Sequence, residues 1–202
     1  LVALARSHGT GSGYHGKYAY TDWCLGQLMG SLGKKKEAAE YEKRAKAYRN
    51  VWCDSVQWFR ARVKGGGWLP WRGRTAQDQG TTESNPFQQG WFVPHDIDGK
   101  KALMGGQKKF DAELEEFFAN VPEDFLWNDY YNHPNEPNHH VPFLFNYSSC
   151  PWLTQKWTRK ICDKAYGDDV LGLCGNEDVG QMSAWYVLAA MGIHPVCPGN
   201  PR

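Results

Sequence analysis

Residues 19–52 read AYTDWCLGQLMGSLGKKKEAAEYEKRAKAYRNVW, and two helical periods run through them. Thr21 is placed to cap a helix carrying Trp23, Leu25, Leu28, Met29 and Leu32, which Gly33 closes. From Lys34 to Trp52, the residues Ala38, Tyr41, Ala45, Tyr48 and Trp52 recur at three- and four-residue steps, with charges on the other face. Two helices joined by so short a turn form an antiparallel αα-hairpin.

The same rhythm returns further along. Helices are expected over Ile97–Met104, Gln107–Phe118, about 139–147, Trp152–Tyr166 and Val179–Met191. Phe110, Leu114, Phe117 and Phe118 share one face, and Trp157, Ile161 and Ala165 another. In the 139–147 helix Pro142 must sit in the first turn. Residues 53–94 show weak periodicity, and loops of that length inside a compact domain are usually functional. No βαβ rhythm, strand alternation or exact repeat is visible. The expected fold is all-α, with hairpins whose loops build a site at one end.

Composition narrows the function. The 202 residues are 41% hydrophobic and 22% charged with a net charge of +1, which excludes the basic patch of a nucleic-acid binder. The longest apolar-rich segment, AWYVLAAMGI, is too short to span a bilayer. Ten Trp, ten Tyr and nine Phe accompany many Asn, Gln and His, a mixture that suits sugars: rings stack on sugar faces and polar groups bond hydroxyls. Six cysteines allow three disulfides in an oxidising compartment, but Cys24 and Cys162 fall in helical apolar patterns and read as small core residues. The chain opens on Leu1 with no charged leader and ends PGNPR, so a fragment of a longer protein is expected.

Three stretches concentrate chemistry. In TTESNPFQQGWFVPHD, Glu83 is either a loop charge or cap residue, or a general acid held protonated by Phe87, Trp91 and Phe92; Asp96 can cap the next helix. In NHPNEPNHHVPFLF, two prolines fix a loop crowded with Asn132, His133, Asn135, Glu136, Asn138, His139 and His140. It is either a helix start capped by Asn138 or an oxygen-rich site for a hard cation such as calcium. It lacks the HExxH spacing of a zinc protease. In GNEDVGQM, Asn176 or Asp178 can cap the last helix, Glu177 and Asp178 cannot both do so, and a carboxylate there stays ionised beside the helix dipole. One neutral and one ionised carboxylate make the acid and base of a glycosidase, although other hydrolases could use such a pair.

With these residues in view, the sequence resembles glycoside hydrolase family 92, the calcium-dependent exo-acting α-mannosidases. The stretches that carry the resemblance are AYTDWCLGQLMGSLGK, TESNPFQQGWFVPHDIDGKKALMGG, NEPNHHVPFLFNY and GNEDVGQMSAWYVLAAMGIHPVCPG, in the family's order. The resemblance implies that residues 1–202 are part of a single catalytic domain, the C-terminal portion of an (α/α)6 toroid whose upstream β-sandwich lies outside this chain. It implies hydrolysis of terminal α-mannosides with inversion, with Glu83 as general acid and Asp178 as general base. Asn135, Glu136 and Asp178 would surround the calcium, and Trp91, His139, His140 and Gln181 would neighbour the sugar. The implied partners are a mannose-containing glycan and the remainder of the catalytic chain, and the implied location is periplasmic, cell-surface or secreted. Two departures stand out: Asn176 occupies a place where some members carry Asp, and Phe87 one where many carry Trp. The competing expectations are a toroid glycosidase for another sugar, a noncatalytic carbohydrate-binding or scaffold protein, and a zinc hydrolase built on His139 and His140.

Overall fold

The computed structural model describes residues 12–63 and 65–200. They form two compact units, one ending at Met104 and the other beginning at Gly105. Helices dominate both; the one sheet among the described residues has two strands of two residues each.

The first unit is built on the αα-hairpin. Helix α1 spans Ser12–Ser31 and α2 spans Lys35–Arg44, and they pack on each other. Gly26 faces α2 at close range: a Cβ there would make ordinary van der Waals contact with Tyr41 Cβ, at 3.5 Å. An ion pair between Arg44 Nη2 and the buried Asp22 Oδ1, at 2.9 Å, ties the two helices. Gly33, at φ 72°, ends α1, and Lys34 N–H donates to Met29 O. Thr21 is not the cap the sequence led us to expect. It lies inside α1, its hydroxyl donating back to Lys17 O at 3.1 Å, because the helix begins nine residues earlier.

The second expected helix stops at Arg44. A 3-10 turn, Ala47–Val51, carries the chain into strand β1, Trp52–Cys53, which pairs antiparallel with β2, Trp58–Phe59. Short helix α3, Pro86–Gln89, and α4, Ile97–Leu103, complete the unit. Its core is aromatic: Trp58 lies 5.3 Å from Phe87 and 5.5 Å from Trp91 between ring centroids, and its indole N–H donates to Pro86 O at 2.7 Å.

In the second unit, α5 spans Gln107–Ala119 and buries the expected face of Phe110, Leu114, Phe117 and Phe118. Helix α6 is Trp152–Lys164 and α7 is Gln181–Ala190, which buries Met182, Trp185 and Ala189. The segment HHVPFLFNY is helical but of 3-10 type, over Val141–Tyr147, with Pro142 in its first turn as expected. Cys24 and Cys162, expected in the core, are only half-buried. No helix among the described residues is long and apolar enough to cross a membrane.

Candidate active site

Glu83 belongs to the first unit and is exposed. It sits in a tight turn at φ 56°, a backbone region that non-glycine residues enter at a cost. Side chains hold the turn: Ser84 Oγ donates to Thr82 O at 3.0 Å and Gln89 Nε2 donates to the same carbonyl at 2.7 Å. Glu83 is not a cap residue. The cap of α3 is a reciprocal box in which Asn85 Oδ1 accepts from Gln88 N–H at 2.9 Å and Gln88 Oε1 accepts from Asn85 N–H at 3.1 Å.

That box turns Phe87 and Trp91 inward. Trp91 is 1% exposed, with Lys100 Nζ 3.8 Å from its ring centroid. Of the three rings expected to wall Glu83, Phe87 and Trp91 are therefore core residues and Phe92 is half-buried, and Trp91 presents no open face on which a sugar could stack. Asp96 is structural too: it caps α4 through Gly99 N–H at 3.0 Å and accepts from Tyr48 OH at 2.6 Å.

Two of the three chemical loops meet inside the second unit. A Cβ on Gly175 would stand 2.5 Å from Pro134 O, so only glycine lets GNEDVGQM lie backbone to backbone on NHPNEPNHH. Trp185 Nε1 donates to His139 O at 2.9 Å, and Gln181 Nε2 lies 3.2 Å from His139 Nδ1. Asn135, His139 and His140 are buried in this join, and Glu136 and Gln181 are half-buried. Asn138 does not cap a helix; it is the buried last residue of a 3-10 turn, Glu136–Asn138, that Asn135 precedes.

The structure separates the roles of the adjacent carboxylates. Glu177 is the one that caps: its carboxylate accepts Ser183 N–H at 3.2 Å and also the Ser183 hydroxyl. Those bonds, that of the hydroxyl foremost, hold its pKa below the usual carboxylate range. Asn176 or Asp178 was expected to cap the last helix, but α7 begins at Gln181, three residues later than Asp178, and Gly180 in the left-handed region occupies the N-cap. Asp178 is left exposed and aimed by a kink: Val179, fully exposed and β-branched, stands at φ 50°. Asn176 is exposed beside it.

Behind this surface runs a buried network that the sequence did not reveal. Tyr131 OH and Tyr166 OH lie 2.7 Å from His133 Nδ1 and Nε2 respectively. Tyr166 OH donates to Met182 O at 3.0 Å. Burial pushes the His133 pKa well below the ordinary histidine value and that of His139 down to about 4, so both rings are neutral at pH 7. Tyr166 stands 33 residues from its partner His133, too far apart for any local pattern to join them.

The second loop also fits a hard cation. Asn132 Oδ1 and Glu136 Oε1 are buried acceptor oxygens with no donor among the described residues. Such oxygens cost free energy unless a cation or water meets them, and amide and carboxylate oxygens suit calcium. Among the described residues no three His, Cys, Asp or Glu side chains gather in a group that could hold a metal ion.

Comparison with known proteins bears on the family and the fold. The family model of the Glycosyl hydrolase family 92 catalytic domain matches residues 11–202. A family 92 α-mannosidase of Bacteroides thetaiotaomicron superposes with a TM-score of 0.82 at 36% identity, covering 91% of this chain and 24% of that one. A family 92 inverting mannosidase of the same species, strain VPI-5482, gives a TM-score of 0.82 at 33% identity over 94% of this chain and 28% of its own. An uncharacterised secreted glycosidase of the fungus Arthroderma benhamiae is 29% identical over 89% of this chain and 25% of its own length. The chain thus spans about a quarter of the length of these relatives. The match along nearly the whole chain and the shared helical fold place this chain in glycoside hydrolase family 92.

Proposed function

We propose that the protein to which this chain belongs is an exo-acting α-mannosidase that works with inversion. The observation that supports the reading is the join at Gly175 and Pro134, where the stretch that carries Asp178, GNEDVGQM, lies on NHPNEPNHH, the loop of the orphaned Asn132 and Glu136 oxygens. Two similar structures, an α-mannosidase and an inverting mannosidase, support the substrate and the stereochemistry.

In the proposed reaction the Glu83 carboxyl gives its proton to the glycosidic oxygen as the C1–O bond breaks. The Asp178 carboxylate takes a proton from a water attacking C1 from the opposite face, so an α-mannoside yields β-mannose. Glu83 is exposed in this chain, so the apolar cover that would keep it protonated comes from the remainder of the catalytic chain. Calcium, when bound, supplies a cation that engages sugar hydroxyls, and Asn135, Glu136 and Asp178 would hold it with the orphaned oxygen of Asn132. His140 is a buried residue of the same loop. The secreted fungal relative supports an extracytoplasmic setting and a glycan partner.

The test is the anomer first released by the full-length enzyme from an α-mannoside, followed by proton NMR, with and without a calcium chelator. The β-anomer first, and loss of turnover on chelation, are expected. The α-anomer first would make Asp178 something other than a base, and no turnover of any α-mannoside would sink the substrate.

A further inference from the structure

Gln181 is the first residue of α7 and lies three residues after Asp178. Its amide nitrogen is 3.2 Å from His139 Nδ1, and an amide NH2 can only donate, so Nδ1 must carry the lone pair. The opposite side of the ring demands the same tautomer. His139 Nε2 is 2.9 Å from His133 O, a carbonyl that can only accept, so Nε2 carries the proton. The ring cannot turn away: it is 2% exposed and stacks on His133 at 4.6 Å.

His133 is itself fixed. Tyr166 OH spends its proton on Met182 O, so it accepts from His133 Nε2, and Tyr131 OH then donates to Nδ1. Every proton from Tyr131 to Gln181 is thereby assigned. Flipping the Gln181 amide would set its carbonyl against the Nδ1 lone pair. Among the described residues the Gln181 side chain makes this one hydrogen bond. Its carbonyl and second N–H remain for another partner, and the residue is half-buried rather than sealed.

We propose that His139 is a positioning residue rather than a sugar contact: it fixes the Gln181 amide so that Oε1 and the second N–H, beside Asp178, read neighbouring hydroxyls of the sugar. One planar amide accepts from one hydroxyl and donates to the next, which suits a vicinal diol. The inference rests on the glycosidase reading above.

The test compares His139→Asn with His139→Gln in the full-length enzyme, on the aryl α-glycoside that the wild type turns over fastest. Asparagine puts an acceptor oxygen near the place of Nδ1 and preserves the bond to Gln181. Glutamine keeps a donor near Nε2 but offers Gln181 no acceptor. Both lose the ring, so a purely structural role predicts equal effects. We expect KM to rise about tenfold more in His139→Gln than in His139→Asn, the order of one lost hydrogen bond, with similar melting temperatures. Equal KM values, or the reverse order, would overturn the proposal. If neither variant folds, Gln181→Glu decides: it cannot donate to Nδ1, so KM should rise with little change in melting, and an unchanged KM overturns the proposal. Should the preferred substrate not be an α-mannoside, the proposed substrate falls, but the contrast between the variants still reads the role of His139.

Discussion

At the scale of single residues, both proposed catalytic carboxylates are tied to backbone that is unfavourable for an L-residue. Glu83 itself is at φ 56°, and Val179, next to Asp178, is at φ 50°. Such positions cost about 1–3 kcal/mol each and persist where the surroundings over-determine them, often at functional sites. The two carboxylates should fail differently when replaced in the full-length enzyme. Glu83→Gln removes a proton that only poor leaving groups need. Hydrolysis of natural mannosides should fall by about 10²–10⁴-fold, while aryl mannosides with acidic leaving groups are largely spared. Asp178→Asn should depress both classes by a comparable factor, since water must be activated for either. Steady-state kinetics on one substrate of each class reads the contrast. A Glu83→Gln variant with intact turnover of natural mannosides would return Glu83 to the status of a loop charge. Glu177→Gln should act on the helix start instead, weakening the bonds to Ser183 without reproducing either kinetic pattern.

At the scale of elements, most helices could be read from spacing alone, because an apolar stripe at a 3.6-residue period has few other interpretations. Helices α5 and α6 and the turn of the α1–α2 hairpin lie close to where periodicity puts them, although α1 begins at Ser12 and α2 stops at Arg44. What was hidden depends on contacts or on pieces too short for a period. The β1–β2 hairpin has two residues per strand and cannot show alternation. The start of α7 shifts to Gln181 because Glu177, not Asp178, satisfies the helix end, a choice between neighbours that sequence leaves open. The loops of the site were visible as crowded polar stretches, but the inward turn of Phe87 and Trp91 was not, since it follows from the Asn85–Gln88 box and the Trp58 core. The join of the two loops yields its own prediction. Gly175→Ala must push a methyl group into Pro134 O, which is backbone and cannot swing aside. Overpacking of this kind costs about 1–3 kcal/mol. Urea unfolding should show that loss, and turnover should fall with it as the Asp178 loop lifts from its neighbour. A variant with wild-type stability and turnover would mean that the close approach is not maintained in solution.

At the scale of the whole molecule, the second unit is held partly by groups that must stay uncharged. His133 is buried with its pKa far below the ordinary value, and burial takes those of His139 and His194 to about 4. In the unfolded chain each titrates near 6.5. Between about pH 6.5 and 4 the unfolded state therefore binds protons that the folded state refuses, and stability falls as pH falls through that window. Above about 6.5 neither state is protonated and the contribution is complete; below the folded pKa both states bind the proton and the loss levels off. For His139 the difference from about 6.5 to about 4 corresponds to roughly 3 kcal/mol. Depressed carboxylates such as Asp96 act in the same direction but at lower pH, so they do not account for a loss that begins above pH 5. Urea midpoints measured from pH 7.5 to 4.5 should decline steadily below about 6.5, with the unfolding slope unchanged. His139→Asn, which cannot titrate, should flatten part of that decline while lowering stability at pH 7. A midpoint constant from pH 7 to pH 5 would mean that these imidazoles reach solvent, and the buried chain from Tyr131 through His133 to Gln181 would lose its basis with them.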